Sequence, residues 1–157
     1  MNILLVEDNK IKKIAIETSL IKIRPETRIR HFGNLADAEH YVDVNADNID
    51  LLVLDWCFPE KRDARAKEAA GKDMLDYLAN NNIFIKTIIC SGNIINEEEL
   101  KPYKFLLGAV QFGKGNPGQQ INEIYLDYWA KFSSMYVRPV NKVDGPKVKK
   151  LVNYDVK

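Results

Sequence analysis

Glu7-Asp8, Asp55, Ser91 and Lys114 are the residues of this chain whose types and positions suit a common chemistry. Glu7 and Asp8 end the apolar run Ile3-Leu4-Leu5-Val6, and Asp55 directly follows Leu51-Leu52-Val53-Leu54. Ser91-Gly92 closes the run that ends at Cys90, and Lys114 lies just past the short run Ala109–Phe112. Clustered carboxylates hold a hard, oxygen-loving cation such as Mg²⁺, which completes its shell with water and phosphate oxygens. Such a cation offsets the repulsion between carboxylate and incoming phosphate, so that one carboxylate can act as nucleophile. A lysine and a hydroxyl donor then stabilise charge on the oxygens of the transferring group. The set suits phosphoryl transfer to a carboxylate.

For these residues to meet, they must stand on one rim, and the elements between them provide for that. The runs Ile3–Val6, Leu51–Leu54 and Phe84–Cys90 are nearly continuous in apolar character, as central strands of a parallel sheet covered on both faces are. Thr27–Phe32 alternates loosely and reads as a strand nearer the sheet edge. Ile11, Ile14, Ala15 and Thr18 fall at helical spacing, with Pro25 past the expected helix end. Leu35, Ala38, Tyr41 and Val42 form a second stripe that Asn34 is placed to cap, and Met74, Leu75, Leu78 and Ala79 form a third. Ile121, Ile124, Tyr125, Tyr128, Trp129, Phe132 and Met135 give the last helix a broad apolar face. The alternation predicts a doubly wound α/β sandwich with right-handed crossovers. In such a sheet, ligands bind beyond the carboxyl ends of the strands, where the acids, Ser91 and Lys114 fall.

Several of these segments resemble one family. Ile3-Leu4-Leu5-Val6-Glu7-Asp8-Asn9 resembles the opening strand and acidic pair of response-regulator receiver domains (the CheY-like family of two-component signalling). Leu51-Leu52-Val53-Leu54-Asp55-Trp56-Cys57-Phe58-Pro59 resembles their phosphoacceptor strand, with its proline four residues after the aspartate. Gly71-Lys72-Asp73-Met74-Leu75 is similar to the start of their third helix, Ile89-Cys90-Ser91-Gly92 to their hydroxyl-bearing strand end, and Gly108-Ala109-Val110-Gln111-Phe112 to the segment leading to the switch aromatic and lysine. The resemblance spans Asn2–Tyr136. It implies a flavodoxin-like fold: a five-stranded parallel sheet in the order 2-1-3-4-5 with helices on both faces. It further implies that Asp55 is the phosphoacceptor. Glu7, Asp8, Asp55 and the backbone carbonyl of Cys57 would hold Mg²⁺, Ser91 and Lys114 would contact phosphoryl oxygens, and Phe112 would be the switch aromatic. The implied partners are a histidine kinase or phosphotransfer protein and a downstream protein, in a phosphorelay rather than in an enzyme that turns over.

Residues 1–137 are expected to form the receiver domain, and 138–157 a basic C-terminal extension with six basic residues against two acids. The chain departs from the resembled pattern in three places. Lys114 stands one residue closer to Gly108 and is followed by Gly115 instead of proline. Glu60–Ala70 is a charged, alanine-rich insertion, open between a helix and a mobile lid. Pro102 interrupts the fourth helix, part of the output face in many family members. These departures motivate a rival reading, a pseudo-receiver serving as a phosphorylation-independent interaction module. A hydrolase or cofactor binder on the same sheet is a third class, since fold does not fix function.

The remaining conspicuous residues have plainer readings. Gly113–Gly118 lacks the spacing of a phosphate-binding loop and reads as a turn into the last helix. Cys57 has no basic activator nearby in sequence and reads as an inert thiol, and Cys90 as core. Trp56, at a strand end, is expected to be partly exposed at the site. With a net charge of +1, nothing draws the chain toward nucleic acid or an anionic membrane. Two cysteines and two histidines support neither a disulfide framework nor a zinc site. No apolar run reaches bilayer length and the N-terminus lacks the pattern of a signal peptide, so a cytoplasmic location is expected.

Overall fold

The computed structural model describes residues 1–136, with backbone alone for 133–136, so the Met135 side chain and the 138–157 extension lie outside the described residues. Strand β1 (Asn2–Val6) is the hub of the sheet. It pairs in parallel with β2 (Arg28–Phe32) on one side and β3 (Leu51–Leu54) on the other. Beyond β3 come β6 (Thr87–Ser91) and β7 (Leu106–Gln111), giving the order β2-β1-β3-β6-β7, all parallel. Counting sheet strands alone, that is 2-1-3-4-5, the expected flavodoxin-like order. The third apolar run forms strand only from Thr87. Phe84 is 67% exposed and Ile85 packs into the core ahead of the ladder.

The continuous apolar runs are explained by burial on both faces. Leu4, Val6, Leu52, Leu54 and Ile89 point to a core completed by Leu35, Ala38 and Val42 of α2 (Leu35–Asn45) and by Met74, Leu75 and Leu78 of α3 (Ala70–Asn80). Their neighbours Ile3, Leu5, Leu51, Val53, Ile88 and Cys90 face a second core with Ile16 and Leu20 of α1 (Lys10–Ile23) and Ile121 of α5 (Pro117–Tyr136). Each fully buried Leu or Ile contributes about 1.5–3 kcal/mol relative to exposure, so the β1 and β3 positions are held by both layers together. Asn34 caps α2 as its sequence suggests, its Oδ1 accepting from the Asp37 amide at 2.9 Å.

Helix α1 turns a different face inward from the one its isoleucines mark. Ile11 is 78% and Ile14 59% exposed, while Ile16, Ser19 and Leu20 are buried. Two faces of this helix have helical spacing, and the partner decides between them. Gly118 at the start of α5 comes so close to Ser19 that its amide donates to Ser19 Oγ at 3.0 Å, while that hydroxyl donates to the Ala15 carbonyl at 2.7 Å. Lower down, Arg24 Nε donates to Asn122 Oδ1 at 2.6 Å.

The charged insertion forms a hairpin rather than a helix. Phe58–Pro59 (β4) and Ala66–Lys67 (β5) pair as a small antiparallel hairpin, and α3 begins at Ala70. The hairpin is fastened by the Ala36 amide donating to the Glu60 carbonyl at 2.9 Å and by Lys67 bridging Asp73 at 2.8 Å. Helix α4 (Glu97–Leu100) is a single turn, and the chain turns through Lys101-Pro102 into the buried Tyr103 and Phe105.

Candidate functional site: an acid pocket with an internal ammonium

The carboxyl ends of β1, β3 and β6 bring Glu7, Asp55 and Ser91 to one rim, as the runs predict. Glu7 is fully buried, Asp55 is 5% exposed and Ser91 2%, whereas Asp8 is exposed. One carboxylate oxygen from each of Glu7, Asp8 and Asp55 lies within 4.8 Å of the others, the metal-capable acid group among the described residues. Three hard oxygen donors at that spacing, one open to solvent, fit a cation of the Mg²⁺ type. Backbone pairing fixes the bases of these side chains. The Asp55 amide donates to the Val6 carbonyl at 2.9 Å, and the Glu7 amide to the Phe32 carbonyl at 3.0 Å. His31 Nε2 donates to the Glu7 carbonyl at 2.6 Å, since a carbonyl can only accept.

The sequence reading missed a central member of the site. Lys12, on the first turns of α1, places its Nζ 2.8 Å from Glu7 Oε2 and 2.8 Å from Asp55 Oδ1. Its side chain is only 15% exposed, and the ammonium also stands 5.8 Å from the centre of the Phe112 ring. The signal was present in the helix. Lys12, Ile16, Ser19 and Leu20 share one stripe, so burial of the last three carries Lys12 under the rim.

Local capping sets this geometry. Asn9 ends the loop after β1, and its Oδ1 accepts from the Ile11 and Lys12 amides at 2.9 and 3.1 Å, capping α1. The Asn9 amide in turn donates to Glu7 Oε1 at 2.9 Å. Both oxygens of Glu7 are therefore engaged, Oε1 by the cap and Oε2 by Lys12. Burial drives the Glu7 pKa up to about 7, against the hydrogen bond from Lys12, and the nearby Asp55 charge pushes the same way. For Lys12, burial works against the charge, but hydrogen bonds to Asp55 and Glu7 outweigh it and the pKa rises above its ordinary value.

The other expected members are placed as follows. Ser91 Oγ accepts from the Asn93 amide at 3.2 Å, and the Ser91 carbonyl accepts from the Phe112 amide at 2.7 Å, joining the end of β6 to the residue after β7. Phe112 and Cys57 are half-buried. Lys114 is exposed in the turn before α5, where its amide donates to the Gln111 carbonyl and its carbonyl accepts from the Gln120 side chain. Among the described ion pairs, Asp55 is joined by Lys12 and not by Lys114. Trp56, expected to be partly exposed, is 7% exposed and packs into the α2–α3 core, its ring edge beside Gly71. Burial of so large an apolar ring outweighs a strand-end position.

No protein-family model matches the chain, and no curated protein matches it. Solved structures do. A signal receiver domain from Vibrio parahaemolyticus is similar at a TM-score of 0.63 and 19% identity, covering 87% of this chain and 97% of its own. The phosphorylated cyanobacterial phytochrome response regulator RcpA is similar at 0.59 and 18%, covering 83% and 94%. A response-regulator receiver domain from Rhodospirillum rubrum gives 0.59 and 17%, over 83% and 94%. With its sheet order, paired layers and acid rim, the chain has the fold of response-regulator receiver domains.

Proposed function

We propose that the chain is a phosphoacceptor receiver, taking a phosphoryl group on Asp55 and signalling by protein contact. The observation that carries this reading is the placement of Asp55, nearly buried at the end of β3 and within coordinating distance of Glu7 and Asp8. An Asp55 carboxylate oxygen attacks the donor's phosphorus. As the new O–P bond forms, the bond from phosphorus to the donor breaks and its electron pair leaves with the donor. Glu7, Asp8, Asp55 and the Cys57 carbonyl would hold Mg²⁺, which supplies positive charge against the approaching phosphate. Ser91 Oγ accepts the Asn93 amide, which leaves its own proton to donate to a phosphoryl oxygen. Lys114, on the turn Gly113–Asn116 before α5, serves as the second donor to the phosphoryl group. Because the Phe112 amide is tied to the Ser91 carbonyl, a shift at Ser91 moves the aromatic with it.

The donor is a histidine kinase or phosphotransfer protein, the location is cytoplasmic, and Asp55 is modified without turning over a substrate pool. No helix among the described residues is long and apolar enough to cross a membrane. A phosphorylated response regulator among the similar structures is in keeping with this reading.

The rival pseudo-receiver reading draws on Lys12, which already supplies a positive charge to Glu7 and Asp55. Intact-mass measurement after incubation with Mg²⁺ and acetyl phosphate separates the two. A single phosphate adduct that needs Mg²⁺ and is lost in Asp55→Asn is the expected result. An unmodified wild-type chain at saturating Mg²⁺ would sink the phosphoacceptor reading.

A further inference from the structure

We infer that Lys12 is a built-in counter-cation that closes the acid pocket, so that a divalent cation binds only by displacing its ammonium; the inference rests on the metal-binding reading of Glu7, Asp8 and Asp55. Lys12 does not behave as a surface lysine. Its Nζ lies 2.8 Å from two carboxylates on different strands and is largely shielded from water. The contact is also built from its other end. The Glu7 carboxylate receives the Asn9 amide, Asn9 Oδ1 receives the Lys12 amide, and Lys12 Nζ returns to Glu7. This closed circuit leaves Glu7 no oxygen unengaged while Lys12 is in place.

Two cations in that space exclude one another. A divalent ion drawing on Glu7 and Asp55 would sit within a few ångströms of the ammonium, where like charges in a poorly solvated pocket repel strongly. Lys12 therefore scales the apparent metal affinity down to the fraction of time that the pocket is free of its ammonium. The same contact offsets repulsion between the buried Glu7 and Asp55 when no metal is bound, since an unpaired buried charge is strongly destabilising. Lys12 is thus a positioning and gating residue for metal entry rather than a phosphoryl contact.

The test is calorimetric titration of Mg²⁺ into the full chain, with thermal melts in parallel. Lys12→Met keeps length without charge, and Lys12→Gln keeps a hydrogen-bond donor without charge. Both are expected to bind Mg²⁺ at least about tenfold more tightly than wild type, the scale on which a close charge pair shifts an equilibrium. Both should melt at lower temperature without Mg²⁺ and gain more from its addition than wild type does. Lys12→Arg, which keeps the charge, should retain the weak affinity.

Wild-type or weaker affinity in folded Lys12→Met and Lys12→Gln would overturn the gate while leaving the metal reading intact. Absence of Mg²⁺ binding in wild type and in both variants, with all three folded, would overturn the gate and the metal reading together.

Discussion

The Gly71 amide donates to the Trp56 carbonyl at 2.9 Å, and a Cβ on Gly71 would fall 2.6 Å from the Asp55 carbonyl oxygen. The start of α3 is pressed onto the backbone that carries Asp55. A further 3.0 Å approach to Trp56 Cα and to its ring leaves no direction of relief. Gly71→Ala is expected to destabilise the fold by about 2 kcal/mol, at the cost of overpacking a filled contact. Urea unfolding measures this. Because the displaced atoms belong to Asp55, the variant should also give less phosphate adduct under native conditions.

A second close approach lies far from the pocket. A Cβ on Gly118 would come 2.6 Å from the Ser19 carbonyl carbon and 2.7 Å from the Leu20 nitrogen, both backbone atoms. Gly118→Ala should therefore cost about 1–3 kcal/mol by forcing α1 and α5 apart. Ser19→Ala, which removes the hydroxyl joining them, should cost about 1 kcal/mol. A double variant tests the shared contact: its cost should fall short of the sum, as for residues that touch.

Ala69 holds a left-handed backbone, φ 58°, at the residue before α3 and makes no side-chain cap. An L-residue pays roughly 1–2 kcal/mol there, while glycine adds about 0.4–1 kcal/mol of unfolded-chain entropy. Ala69→Gly is expected to stabilise the protein, by about 0.5 kcal/mol on balance. Chemical denaturation with an unchanged slope would read this directly.

The two thiols should differ sharply in reactivity. Burial pushes the Cys90 pKa up to about 12, with a modest opposing pull from Lys12, so its thiolate is scarce at any pH the fold tolerates. Cys57 is half-buried at the rim. Alkylation of the native protein near pH 8, followed by peptide mapping, should label Cys57 first and reach Cys90 only on unfolding. Early labelling at Cys90 would show that the β6 face opens more readily than its packing implies.

The sheet was legible because central parallel strands need apolar residues on both faces, and Ile3–Val6 and Leu51–Leu54 meet that need without ambiguity. Asp55 and Ser91 followed from the same logic, as the first polar residues past such runs. What sequence patterning did not resolve was orientation. Ile11 and Ile14 advertise a core face that α1 does not use, because Gly118 offers its close approach to Ser19 instead. The stripe of Ile11, Ile14, Ala15 and Thr18 does not contain Lys12, so that residue was not singled out. Phe84 and Trp56 erred in opposite directions, one apolar residue left outside and one strand-end aromatic drawn in, since tertiary packing decided both. The hairpin of Phe58–Lys67 was hidden by its charge, part of which forms solvent-facing ion pairs, Arg62 with Asp37 and Lys67 with Glu60 and Asp73.

Helix α1 is pinned along its length, by Asn9 at its start, by Ser19 to Gly118 and by Arg24 to Asn122 near its end. With three anchors along α1, release of the Lys12 ammonium calls on the torsions of its own side chain before any shift of the helix, the latter being a microsecond-to-millisecond event. On the gating proposal, the acid pocket would exchange its internal cation without waiting for the fold to rearrange.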